Sequence, residues 1–314
     1  MIRLIVRRLL LAIPILFVVL LITFLLLRVG GGDPSSAILG VGGTPQQRAE
    51  IRSELNLDKP VWVQFGIYLG SLLTGNLGNS LVDQGQSVVG IIVQRLPVTL
   101  SVVIGALLLS IVVGTIVGTW AAIKGGWVDR ISQVLSLLGF AIPGFWLALV
   151  LIIVFTVQLR WFPTSGYVAF GQDPVAWFSH LVLPVLALSA TSIAAIALQT
   201  RSAMLDALSQ EHIRTLTAAG VSRRSIVFRH ALKGASPTIV SVAGLQFIGL
   251  LGAVIFVEEV FGLSGIGRLS VDSALNSDFT VLEGLVLFLA LFVILANLIV
   301  DVAIAALSPK VRMS

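Results

Sequence analysis

Six apolar runs constrain this chain more than any other feature. They cover about residues 9–29, 98–122, 133–158, 181–201, 236–257 and 284–307, each near the roughly 20 residues that carry a helix across a bilayer core. Backbone groups in lipid must satisfy one another, so a run of this kind becomes a helix. The chain is 57% hydrophobic and only 11% charged, whereas a soluble domain carries about 25% charged residues. The fold class expected is therefore all-α, a polytopic membrane protein with six transmembrane helices. The first run, Leu9–Leu27, is interrupted only by Thr23. It exceeds the ~7–15-residue core of a signal peptide, so residues 1–29 read as a retained N-terminal transmembrane helix.

Basic residues set the expected orientation. With the N-terminus inside, thirteen of the twenty Lys and Arg fall in inner segments, among them Arg3, Arg7, Arg8, Lys124, Arg130, Arg201, Lys310 and Arg312. Seven fall outside, while eleven of the fifteen acidic residues lie outside. The formal charge of +5 is thus a matter of topology. Nucleic-acid binding would need a basic face with stacking aromatics, and the chain shows none. Membrane lipid is the surrounding partner.

Between the first two runs lies an extracytoplasmic loop region, residues 30–96. "TPQQ" at Thr44–Gln47 reads as a helix start, with Thr44 as N-cap, Pro45 at N1 and Gln47 at N3. Trp62, Phe65, Leu69 and Leu72 follow at helical spacing. Two readings stand: an amphipathic helix at the membrane surface, with Trp62 and Tyr68 at headgroup level, or a short helix packed on the spans. In the second run, Gly114 and Gly118 form a small-xxx-small pair, which suits close helix packing or a subunit contact.

Enzymatic chemistry has no visible seat. Cysteine is absent, which removes thiolate metal sites and cysteine nucleophiles. His180, His212 and His230 form no His-Glu-x-x-His motif, and no metal site is expected. No lysine follows a glycine, so the phosphate-binding loop is missing. Secondary transporters keep ionisable groups near the bilayer middle, yet here Arg28, Arg201, Glu258 and Glu259 fall at span ends. Asp301 lies inside the last span and reads as structural. Pro143 and Gly144 in "FAIPGFW" can break the third span. A six-span chain with neither an ion relay nor an ATP site draws its energy from a partner. A stand-alone channel or secondary transporter and a membrane scaffold are the rival classes.

The largest inner loop, residues 202–235, is where such a partner would act. Glu211–Ala219 holds good helix formers, Gly220 breaks the run, and Ser222 can cap a second helix with Ser225 at N3. Ala218, Ala219 and Gly220 leave a notch that another backbone could approach, flanked by Arg223 and Arg224. The alternative is a basic juxtamembrane loop that touches lipid headgroups.

"HIRTLTAAG" at His212–Gly220 followed by "HALKGA" at His230–Ala235 resembles the coupling loop, or EAA loop, of binding-protein-dependent ABC importer permeases. It is most similar to the B-type permease of dipeptide and oligopeptide importers. Arg214, Thr215, Ala218, Gly220, His230, Ala231 and Leu232 match that branch, while Arg214, Thr215 and Leu216 stand where the generic loop opens Glu-Ala-Ala. "GGGDP" at Gly30–Pro34, "ELNLDKPVWVQF" at Glu54–Phe65, "GNLGNS" at Gly75–Ser80, "LPVTLSV" from Leu96, "VEEVFGLSGIGRL" at Val257–Leu269 and "NLIVDVAIAALSPKVR" at Asn297–Arg312 resemble further stretches of it. Ser264 stands where a proline is common.

The resemblance implies a type I ABC importer permease fold: a permease core over 97–308, preceded by the helix 1–29 and loop region 30–96 and followed by a cytoplasmic tail, 309–314. It implies a bacterial plasma (inner) membrane location, a homologous second permease subunit, two ATPase subunits or domains, and an extracytoplasmic solute-binding protein. ATP and Mg would sit on the ATPases, with no cofactor on this chain. Arg214, Thr215, Thr217, Ala218, Ala219, Gly220, Arg223 and Arg224 would couple to an ATPase, where a side chain at Gly220 would wedge the joint. The translocation path would run between the two permeases, near Pro143, Phe145, Trp146 and Gln199 if spans three to five line it. Phe145 and Trp146 could equally face lipid. Dipeptides or oligopeptides are the expected cargo, with haem, nickel complexes or another small solute as the alternative.

Overall fold

A computed structural model describes residues 2–30, 34–39, 43–83 and 85–307. Residues 31–33 of the glycine-rich "GGGDP" stretch and the tail, with Lys310 and Arg312, lie outside the described residues. The described helices are α1 (Ile2–Gly30), α2 (Pro34–Leu39), α3 (Pro45–Glu54), α4 (Val61–Leu73), α5 (Val88–Lys124), α6 (Gly126–Ala141), α7 (Gly144–Leu151), α8 (Pro174–Ser209), α9 (Glu211–Ala218), α10 (Arg223–Ser225), α11 (Leu232–Val260), α12 (Ile266–Leu275) and α13 (Phe279–Leu307). Wider π turns extend α7 over Ile152–Gln158 and link α10 to α11 over Ile226–Ala231. Two compact units form: one mainly from Val98–Leu263 with the last part of α13, the other from Val6–Pro97 and Ser264–Ile294.

Among the described residues, five continuous helical segments are long and apolar enough to cross a membrane, and the α6–α7 pair makes a sixth if counted as one span. The all-α polytopic expectation holds, with one difference. The third span, expected over 133–158, is bent by 96° between Ala141 and Gly144. Pro143 has no N–H to donate and disfavours helical backbone before it, and Ile142 is extended at φ −86°, ψ 118°. Other spans outrun their apolar windows. For example, α8 covers Pro174–Ser209 rather than 181–201, because an apolar window of about 20 residues marks only the length needed to cross the bilayer core and not the helix that continues beyond it.

The first unit is assembled on small residues. A Cβ on Gly114 would lie 2.8 Å from Ile196 Cβ, and one on Gly118 would run into Ala197 O. Both glycines therefore seat α5 on α8, which assigns the pair to packing within the chain. The same device recurs where a Cβ on Gly139 (α6) would meet Ala194 Cβ at 3.0 Å, and one on Gly244 (α11) would meet Val300 at 2.5 Å. Lipid offers no hydrophobic drive between helices, so close approach must supply the attraction. Ile196, Met204, Val227, Ala231, Ala235 and Ile239 form the core beside these contacts.

In the second unit, Thr44 accepts from Gln47 N and Gln47 returns to the Thr44 N–H, a complete capping box with Pro45 at N1. The following stretch forms a separate helix, because Asn56 takes φ 58° and Pro60 starts α4. On α4, Phe65 lies 5.3 Å from Phe24 and Tyr68 stacks on Phe24 at 5.8 Å. Those side chains bear out the packed reading, while Trp62, 77% exposed, is left for an outer environment. Asp278 accepts from Ser80 Oγ, from Leu81 N at 3.2 Å and from Val281 N at 3.3 Å. One carboxylate thus caps α13 and ties the "GNLGNS" loop to it.

Candidate functional site

Local signals build the segment after α8 in order. Gln210, at φ −64° and ψ 145°, ends α8 and opens α9. Glu211 in the first turn of α9 complements the helix dipole, and Ile213, 5% exposed, anchors the helix. The hydroxyls of Thr215 and Thr217 donate back to Glu211 O and Ile213 O, at 3.3 and 2.8 Å.

Helix α9 then stops on a Schellman motif. Val221 N donates to Leu216 O at 3.1 Å and Gly220 N to Thr217 O at 3.1 Å, the paired bonds that close a helix over a left-handed residue. Gly220 supplies that residue at φ 78°. Ser222 caps the next helix, its hydroxyl accepting from Ser225 N at 3.4 Å. Ile226 and Val227 bury the chain's return toward α11. The helix–glycine–helix order read from the sequence is present residue for residue.

The chain itself leaves open space beside Gly220. A Cβ there meets nothing within 4 Å in this chain. Glycine is required here by backbone handedness, and only an added partner could make the position crowded. Arg214, Thr215, Thr217, Ala218, Ala219, Gly220, Arg223 and Arg224 are all exposed. The two arginines divide, however: Arg223 Nη2 donates to Ile123 O at 3.2 Å, in the last turn of α5.

The residues named for a translocation path do not converge. Pro143, Phe145 and Trp146 lie exposed at the α6–α7 bend, and Gln199 lies exposed on α8. A Cβ on Gly144 would lie 3.7 Å from Ala187 O of α8. Gln199 is twelve residues further along, about 18 Å at 1.5 Å per residue.

Sequence reasoning missed the polar contacts inside the first unit. Arg201 was expected at a span end, but α8 continues past it to Ser209. Its guanidinium takes Asp129 in a two-pronged pair, with Nη2 to Oδ2 at 2.6 Å and Nε to Oδ1. The pair ties α8 to the first turn of α6, and bidentate geometry makes it strong and directional. Glu258, also expected at a span end, is fully buried and accepts from Thr99 Oγ1 at 2.5 Å. An Arg inside an apolar run and an acid at an inner helix start were the only available signals.

Comparison with known proteins matches this architecture. Residues 110–313 match the family described as binding-protein-dependent transport system inner membrane component, and residues 1–103 match its N-terminal companion family. A putative peptide transport system permease protein of Brucella abortus is 39% identical over 99% of both chains. A glutathione transport system permease protein of Escherichia coli is 38% identical over 99% of both, and a dipeptide transport system permease protein of Alkalihalophilus pseudofirmus is 35% identical over 98% of both. Among solved structures, a chain of an inward-facing methionine ABC transporter superposes with a TM-score of 0.57 at 19% identity, covering 69% of this chain and 96% of that one.

Proposed function

Because the chain belongs to the family of binding-protein-dependent transport system inner membrane components, we propose that it forms half of the translocation pathway of an ATP-driven importer of short peptides. The observation that carries the coupling role is the exposed helix–glycine–helix of α9 and α10. It is built by caps and a Schellman turn, yet its outer surface stands exposed, with Arg214 and Arg224 facing outward and only Arg223 of the three arginines reaching back to Ile123 O. A segment that is locally well defined and outwardly unpacked suits insertion into a cleft on a partner.

In this reading the N-terminus is cytoplasmic, the 30–96 region faces outward, and the chain pairs with a homologous permease. ATP closes two ATPase subunits, which draw the coupling helices together. Helices seated on small residues then rock as rigid bodies and open the outer side. Free energy passes between two global states, which is what coupling between distant sites means. Peptide cargo is favoured by relatives at 35–39% identity whose names specify peptide, dipeptide or glutathione transport. A solute-binding protein at the outer face would do most of the selecting.

Affinity purification in mild detergent tests the proposal. A second permease, ATPase subunits and a binding protein are expected to co-purify, and the binding protein's ligand would name the cargo. A chain that purifies alone and transports solute by itself in liposomes would refute it.

A further inference from the structure

In the second unit, Arg28 stands in the last turn of α1 and Glu283 in the second turn of α13. Both line one cleft of about 120 Å³, whose walls include Leu55, Leu57, Phe279 and Thr280. That is several times the ~10–15 Å³ that one water requires. The guanidinium of Arg28 lies 4.8 Å over the Phe24 ring, a contact that steadies a cation. Glu283 is only 8% exposed. Arg28 Nε and Glu283 Oε1 are both buried atoms with no hydrogen-bond partner among the described residues.

Two opposite charges that share a cleft and each leave a buried polar atom unmatched make a costly arrangement when empty. An occupant that brings a cation to one and an anion to the other removes both deficits. Few-atom molecules that do this carry an ammonium and a carboxylate on one short skeleton. The leucines and Phe279 add walls for an apolar side chain.

We propose that this cleft binds a small zwitterion, with its ammonium against Glu283 and its carboxylate against Arg28. A free amino acid and a short peptide share this chemistry and differ in charge separation. Placing the cleft on the extracytoplasmic side rests on the orientation proposed above; its occupancy does not.

The test uses the full chain in nanodiscs, with whatever subunits accompany it, titrated calorimetrically with leucine, alanyl-leucine, N-acetyl-leucine and leucine amide. At least one of the two zwitterions is expected to bind, and the two blocked analogues at least about tenfold more weakly. Glu283→Gln should abolish the discrimination against N-acetyl-leucine, and Arg28→Gln the discrimination against leucine amide. Photo-leucine labelling of the unmodified chain provides a readout independent of variant folding: label is expected on the segments around Leu57 and Phe279. No zwitterion binding up to about 10 mM, binding that ignores both substitutions, or label only elsewhere would overturn the site. Absence of ATPase subunits from the preparation would count against the importer reading and leave this measurement valid.

Discussion

Gly118 and Gly220 are the same residue in opposite situations. At Gly118 a Cβ would overlap Ala197 O and stand 3.0 Å from Arg201 N, whereas at Gly220 it meets nothing within 4 Å and the constraint is a φ of 78°. The span glycine exists for room and the loop glycine for handedness. A rigid body needs helices locked at short range, and a coupling element needs a sharp turn with a free outer surface. Position in the chain decides which demand a glycine answers.

The largest expected effect comes from filling the crowded site. The backbone of α8 cannot step aside locally, so destabilisation at Gly118 should grow with side-chain size. Gly118→Ala should cost about 1–3 kcal/mol, and Gly118→Leu should prevent recovery of folded protein. Thermal unfolding in detergent and size-exclusion profiles measure this. Equal stability across the series would mean that α5 and α8 are not in contact.

Gly220 should behave in the other way. Ala and Trp there carry the same left-handed strain, about 1–2 kcal/mol, and should melt at similar temperatures. Gly220→Trp is nevertheless expected to abolish uptake by a correctly inserted, assembled complex, while Gly220→Asn, which tolerates this backbone region, retains most of it. Normal uptake by the Trp variant would remove the coupling role. The comparison sharpens if size affects stability only at 118 and transport at 220.

What could be read in the sequence follows the reach of each interaction. The Thr44–Gln47 box, the Gly220–Ser222 turn and the Pro143 break lie within a few residues and were legible. The Arg201–Asp129 pair joins positions 72 apart, Thr99 and Glu258 are 159 apart, and Ser80 and Asp278 are 198 apart. Nothing in a local pattern selects those partners; packing of the helices does. For the same reason no local pattern tells how Pro143, at the α6–α7 bend, and Gln199, on α8, stand relative to one another. At Gly220 the sequence likewise shows that a glycine is present, while its backbone handedness, φ 78°, comes only from the structure.

The Asp129–Arg201 pair tests the rigid side at intermediate strength. Its side chains are 18% and 25% exposed, between a solvated pair and a buried one. Asp129→Ala should therefore cost about 1–3 kcal/mol, with Arg201→Ala similar. The double substitution should cost less than the sum, because each single change leaves one charge without its partner. Additive losses in a thermal double-mutant cycle would show that the pair contributes nothing as a pair.

The smallest effects should separate the two neighbouring arginines of the loop. Arg223 bonds to the last turn of α5, so Arg223→Glu loses a helix-end cation and places an acid there. The stability loss should be about 0.3–1 kcal/mol, alongside weaker retention of the ATPase. Among the described residues Arg224 makes no such bond to α5, so Arg224→Glu should leave the melting temperature unchanged and act on retention alone. The double variant should retain least. Co-purification yield of ATPase at two salt concentrations reads the difference, since a contact between exposed charges weakens with screening. If Arg224→Glu lowers the melting temperature as much as Arg223→Glu does, the outer face of the loop belongs to the fold. If neither changes retention, the arginines serve the membrane surface and the coupling contact rests on α9 and the Ala218–Gly220 turn.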